Sequence, residues 1–167
     1  VNGEVPSQTV GPFFAIGLPW DDGAFAVAAD APGAIWVRGH VLDGDGDPIP
    51  DALVETWQTN PEVSGGFRAF TRCPTDIDGR YALRTLKPGP DADGQAPHLA
   101  VSVFARGLLN RVVTRIYFDD ETEANAADPV LSAAGDRRVT LIAQSTSDGY
   151  IFDIRLQGAD ETVFLAI

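Results

Sequence analysis

The sequence predicts an all-β protein, an antiparallel β-sandwich with little helix, in a chain of 167 residues. Three observations predict it. Apolar and polar residues alternate with period 2 in one run after another. Those runs are rich in Val, Ile, Thr and aromatic residues, and clusters of Gly, Pro and Asp separate them. Eight such segments at short spacing read as two packed sheets with Greek-key-like connections.

Residues 1–33 stand outside this rhythm. The opening VNGEVPSQTVGPFFAIGLPW is apolar and rich in Pro and Gly, with no clear alternation. Such a strip packs poorly alone, so it is expected to be an arm lying against a surface supplied by something else, with the sandwich at 34–167. The first strand is AIWVRGHVLD, in which Ile35, Val37, Gly39 and Val41 alternate with Trp36, Arg38, His40 and Leu42. GDGDPIPD follows as a turn, then LVETWQ as a strand, and NPEVSGGFRAF as a loop between strands. DIDGR is a second tight turn, because Asp-Gly supplies the positive φ that short hairpins need. RYALRTL, HLAVSVFAR and RVVTRIYF are the next strands. DETEANAADPVLSA is the one helix candidate, a turn or two ended near Pro129. RVTLIAQ, YIFDIRLQ and TVFLAI complete the set.

One domain of this length buries a sizeable core without staples. The net charge of −12 and a pI near 4.3 argue against nucleic acid, whose phosphates need clustered Lys and Arg. Lys87 is the only lysine, and the arginines are scattered apart from the adjacent pair Arg137 and Arg138. An anionic ligand therefore needs a local basic pocket within an acidic whole. No apolar run approaches the roughly 20 residues that span a bilayer. No charged-then-apolar segment opens the chain, and the absence of an initial Met leaves room for residues ahead of Val1. The single cysteine, Cys73, cannot form an internal disulfide, which suits a reducing cytoplasm.

Several kinds of chemistry fail on their motifs. GDGDP lacks the Lys-Ser/Thr of one phosphate loop and the helix that follows the other. DGDGD lacks the later ligands of a calcium loop. Cys73 in TRCPTD has only His40 and His98 as possible basic partners, and packing explains it better than nucleophilic attack. His98 opens GQAPHLAVSVFARG, and the next residues on its face are Ala100 and Ser102, which are no partners for a metal needing three or four ligands. Tyr81, Tyr117 and Tyr150 all sit in strand patterns, where core packing accounts for them.

Five blocks occur in one order: RGHVLDGDGDPIPDALVETWQTN, TDIDGRYALRTLKPG, PHLAVSVFARG, TRIYFDDE and FDIRLQGADETVF. Together with PSQTVGPFF near the start, they resemble the intradiol ring-cleavage dioxygenases, a family related to prealbumin-like sandwiches. Within it they are similar to the noncatalytic α subunits of the heteromeric members. The resemblance runs from Pro6 to Phe164.

It implies cleavage of a carboxylated catechol, protocatechuate, by Fe(III) and O2 to 3-carboxy-cis,cis-muconate. The iron is held by a partner β subunit through two tyrosines and two histidines spaced His-x-His, and this chain is inactive alone. Here the matching stretch is His98-Leu99-Ala100. The tyrosine positions fall at Asp91-Ala92-Asp93 after KPGP and near GGFRAFTRC, where Phe67 and Phe70 have no phenolic oxygen. His98 is thus a vestigial ligand position, and no metal ligand and no catalytic residue is expected in this chain. The resemblance places substrate-binding roles on Thr9, Gly11, Pro12 and Arg106. A guanidinium suits a ring carboxylate, and a glycine allows close approach of backbone to the ring. His98 and Arg106 are separated by about 26 Å along an extended strand at roughly 3.3 Å per residue, too far for one compact pocket. Higher oligomers of αβ units, a cytoplasmic location, and no nucleic acid or membrane partner complete the expectation. The alternative is a transthyretin-like sandwich used as a binding or assembly module without a catalytic role.

Overall fold

The computed structural model describes residues 8–9, 11–58, 67–90 and 94–166. Nine strands are present among them: β1 (Ala34–Leu42), β2 (Leu53–Trp57), β3 (Phe70–Pro74), β4 (Arg80–Leu86), β5 (His98–Phe104), β6 (Val112–Phe118), β7 (Ile142–Thr146), β8 (Gly149–Ile151) and β9 (Ile154–Arg155). Three short helices accompany them, α1 (Phe14–Gly17), α2 (Thr122–Ala127) and α3 (Pro129–Ala134). A 3₁₀ segment at Gly135–Leu141 leads into β7.

The strands form one sheet in the order β3-β2-β5-β6-β7-β8-β1-β4, with β9 added against β1. The two end strands, β3 and β4, approach each other, so the sheet folds over into a nearly closed sandwich. Residues 23–26 run along the seam. Arg72 N–H donates to Gly23 O at 2.8 Å, and Arg84 N–H to Ala24 O at 2.9 Å. Ala26 N–H donates to Arg84 O at 2.8 Å. One short segment thereby satisfies backbone groups of both edge strands, which buried edges require.

Period 2 decides what is inside. Along β5, Leu99, Val101 and Val103 are buried, while His98, Ala100, Ser102 and Phe104 line the outer face. The main core joins these to Val37, Val41, Val54, Leu83, Ile116 and Ile154. A second cluster, Tyr117, Leu131, Leu141 and Ala96, lies beneath the helical segment.

The sheet corrects the expectation of a purely antiparallel sandwich. β1 pairs parallel with β8 and with β9, and β6 pairs parallel with β7. The cause is the crossover between β6 and β7. Parallel neighbours need a connection of about a dozen residues or more, and Asp119 to Leu141 supplies it as α2, α3 and the 3₁₀ segment. The expected short helix is α2, which ends at Ala127 just ahead of Pro129, and Pro129 itself starts another. It opens α3 at the first helical position, where its missing N–H costs nothing, behind Asp128 as N-cap. RVTLIAQ is a strand only from Ile142, because Leu141 is drawn into the second cluster and winds the preceding turn. Phe70–Pro74 is a strand at the edge of the loop predicted over NPEVSGGFRAF. Residues 162–166 hold no strand, although Leu165 N–H donates to Val113 O at 2.7 Å and Thr114 Oγ1 to Val163 O at 2.7 Å. No helix among the described residues is long and apolar enough to cross a membrane.

Candidate functional site

The outer face of β5 carries the residues of interest at its two ends. At the first end, His98 Nδ1 donates to Ala96 O at 2.8 Å, which fixes the proton on that nitrogen. Antiparallel register sets His98 opposite Tyr117 and Ala100 opposite Arg115. The His98 and Tyr117 rings lie 5.5 Å apart. Arg115 Nη1 donates to Gln95 Oε1 at 2.5 Å and to the Tyr117 hydroxyl at 3.1 Å. The Tyr117 hydroxyl in turn donates to Asp128 Oδ1 at 3.1 Å.

Asp128 is fully buried and holds this end together. Its carboxylate accepts from Ala96 N–H at 3.0 Å, and from Val130 N–H at 2.8 Å and Leu131 N–H at 3.0 Å as the cap of α3. Asp128→Ala leaves these donors and the Tyr117 hydroxyl facing a hole. An expected loss of about 2–4 kcal/mol in unfolding free energy follows from one lost cap and buried donors without partners, measured by urea denaturation of the purified chain.

The donor set here does not suit ferric iron. Where the His-x-His spacing would put a second imidazole there is the Ala100 methyl. The one phenol alongside is Tyr117. Burial pushes it up to about 12 against the pull of Arg115, and its hydroxyl is already engaged in donating to Asp128. The Arg115 guanidinium lies within hydrogen-bond distance of that oxygen, and a fixed cation there opposes a metal cation. No group of three or more His, Cys, Asp or Glu among the described residues is placed to share a metal ion. Positions 91–93 lie outside the described residues. Phe67 is half-buried, and Phe70 in β3 stacks on Trp20 with centroids 6.1 Å apart.

At the other end β5 runs into a four-residue turn closed by Leu108 N–H donating to Ala105 O at 3.2 Å. Gly107 takes φ +89°, the left-handed conformation that the third position of such a turn demands. This leaves Arg106 as the exposed corner and turns Gly107 N–H toward the arm, where Thr9 Oγ1 accepts from it at 3.1 Å. Phe14 of α1 meets Phe104 with ring centroids 6.3 Å apart. Two residues nearly a hundred positions apart, Thr9 and Arg106, are thus neighbours across one backbone bond. Gly11 and Pro12 follow on the arm, both exposed. Open space surrounds the position of a Gly11 Cβ, and Pro12 O accepts from Ala15 N–H at 3.2 Å at the entry to α1.

Arg106 is paired with Asp51, whose Oδ2 accepts from Nε. The sequence reading missed this partner, although the signal was present in the strand register. β2 and β5 pair Leu53 with Phe104, and two further steps along both chains bring Asp51 opposite Arg106. It also missed Gln95, Arg115 and Asp128, which are polar residues that only the sheet and crossover bring together.

Cys73 is packed as expected. Burial raises its thiol, whose Sγ lies 3.4 Å from both Pro74 O and Ala82 O with one proton to donate between them, so it is no ready nucleophile. Tyr81 is buried, with its hydroxyl donating to Phe152 O at 2.6 Å. Tyr150 packs edge-on to Phe118 and bonds Asp120 Oδ2 at 3.0 Å.

A family model described as dioxygenase matches residues 10–158. The protocatechuate 3,4-dioxygenase alpha chain of Burkholderia cepacia is 41% identical, covering 98% of this chain and 98% of that one. The beta chain of the same name from that organism is 34% identical over 77% of this chain and 66% of its own length. Among solved structures, a dioxygenase domain from Streptomyces sp. SirexAA-E superposes with a TM-score of 0.61 at 25% identity, over 81% of this chain and 88% of the other.

Proposed function

The chain belongs to the intradiol dioxygenase family, and from that membership we propose that it is the α subunit of a heteromeric protocatechuate 3,4-dioxygenase. In this reading it supplies part of the substrate pocket while a β subunit holds the Fe(III). The observation that carries the proposal is the junction of arm and strand, where Thr9 is bonded to the residue following Arg106. The full-length likeness to an alpha chain, alongside a weaker likeness to a beta chain, supports the same division of labour.

Each residue has a physical part. Arg106 offers a guanidinium to the ring carboxylate, and such pairs are short, directional and charge-assisted. Thr9 ties the arm to the turn, and Gly11 and Pro12 follow it along the arm. Gly11, with nothing around its missing side chain, lets a ring or a partner's backbone approach closely. Pro12 stiffens the entry to α1. In this reading the arm packs on the β subunit through its exposed Phe13, Ile16, Leu18 and Trp20, while residues 23–26 stay in the seam of this chain's own sheet. Protocatechuate and O2 as substrates, 3-carboxy-cis,cis-muconate as product, higher oligomers of αβ units and a cytoplasmic location belong to the same proposal.

The test is metal content. The chain purified alone is expected to be colourless and iron-free, and co-expression with a β subunit is expected to give a red-brown complex that consumes O2 with protocatechuate. Stoichiometric ferric iron in the isolated chain would overturn the proposal.

A further inference from the structure

We propose that Asp51 is the positioning residue for Arg106, holding the guanidinium by its Nε so that the two terminal nitrogens face the substrate carboxylate; this rests on the substrate-binding role given to Arg106 above.

Three observations carry it. First, the backbone on either side of Asp51 is held, and its buried Oδ1 has no hydrogen-bond partner among the described residues, so Oδ2 alone is engaged. Asp51 lies in the turn just before β2, and Thr75 clamps that turn. Thr75 Oγ1 donates to Ile49 O at 2.7 Å and accepts from Ala52 N–H at 2.9 Å, while Thr75 N–H donates to Ala52 O at 2.9 Å. Second, the pair is unequal. The Asp51 side chain is 12% exposed and Arg106 is 60% exposed, so a fixed, mostly buried carboxylate anchors a long side chain that otherwise reaches into solvent. Third, the bond to Asp51 uses Nε, and among the described residues Nη1 and Nη2 make none. An arginine fastened at Nε presents its Nη edge outward in the plane that a carboxylate can meet with two parallel bonds.

Two opposing effects set the expected size. Freezing a loose arginine on binding costs about two- to tenfold in affinity, and an anchor formed beforehand removes that cost. A second carboxylate behind the guanidinium repels the ligand's carboxylate across roughly 7 Å, at a cost of about threefold in bulk water and more beside the protein surface. The proposal requires orientation to outweigh this repulsion, so that loss of the anchor weakens binding on balance.

The experiment uses the assembled αβ enzyme, with protocatechuate and with catechol, which lacks the carboxylate. Asp51→Asn is expected to raise KM for protocatechuate about three- to tenfold with kcat and catechol kinetics little changed. The effect should vanish when Arg106→Ala is already present. Asp51→Glu keeps the charge but displaces the anchor, and is expected to raise KM in the same direction. The proposal is overturned by an Asp51→Asn enzyme whose KM for protocatechuate is unchanged or lower, or by equal losses on both substrates. An Asp51→Glu enzyme indistinguishable from the parent would also overturn it, since charge alone would then suffice. Should Arg106→Ala itself leave protocatechuate kinetics untouched, the role assigned to Arg106 fails first and this one with it.

Discussion

Arg106→Ala in the αβ enzyme is expected to lower kcat/KM for protocatechuate about 10- to 100-fold, through KM, with the iron content and colour of the complex intact. The size follows from a hydrogen-bonded charge pair, typically about 1.5–3 kcal/mol when one partner is removed. The split follows from position. In the proposed reading Arg106 faces the carboxylate, remote from the ring carbons that react, so ground state and transition state would lose the same contact. Catechol should be spared. Arg106→Lys keeps the charge but not the fork, and should fall between the parent and the alanine enzyme. The alanine change also leaves Asp51 largely buried without its cation, so a modest fall in Tm accompanies it. Stopped-flow binding with and without the substitution, at matched iron occupancy, reads the effect directly. Unchanged protocatechuate kinetics would remove Arg106 from the site.

Gly39→Ala is expected to be among the most damaging single changes to the fold, beyond about 4 kcal/mol and enough to abolish soluble expression of a domain of ordinary stability. A Cβ on Gly39 would lie 1.8 Å from Phe152 O and 2.5 Å from Phe152 C. Those atoms are backbone and cannot swing aside. Phe152 N–H donates to Arg38 O at 2.8 Å, and Phe152 O accepts from the Tyr81 hydroxyl at 2.6 Å, so moving the segment between β8 and β9 breaks both bonds. Gly11→Ala is the control, with no atom within 4 Å of its new methyl, and its effect on stability should stay within about 0.5 kcal/mol. Urea denaturation of the two variants side by side separates close approach from a generic cost of replacing glycine.

The strands were legible wherever one face is buried and the other wet. HLAVSVF announces its buried and outer residues by alternation alone, and the structure keeps that assignment residue by residue. The helical crossover was less legible. Asp128-Pro129 reads equally well as the end of one helix or the start of another until the buried carboxylate is seen capping α3. Phe70–Pro74 escaped because its pattern is short and follows a Gly-rich stretch, and a five-residue edge strand carries little periodic signal.

By itself, the order of residues determined the β character, the family, and the absence of a histidine partner at Ala100, because side-chain type and period-2 spacing are properties of neighbours along the chain. Only the tertiary structure decided that β1 and β6 have parallel partners, that Arg115 and Tyr117 occupy the face beside His98, and that Asp51 holds Arg106 next to Thr9. Those facts depend on strand register and crossover path. Both are set by which apolar faces bury together over long separations, and a run of local preferences does not encode that choice.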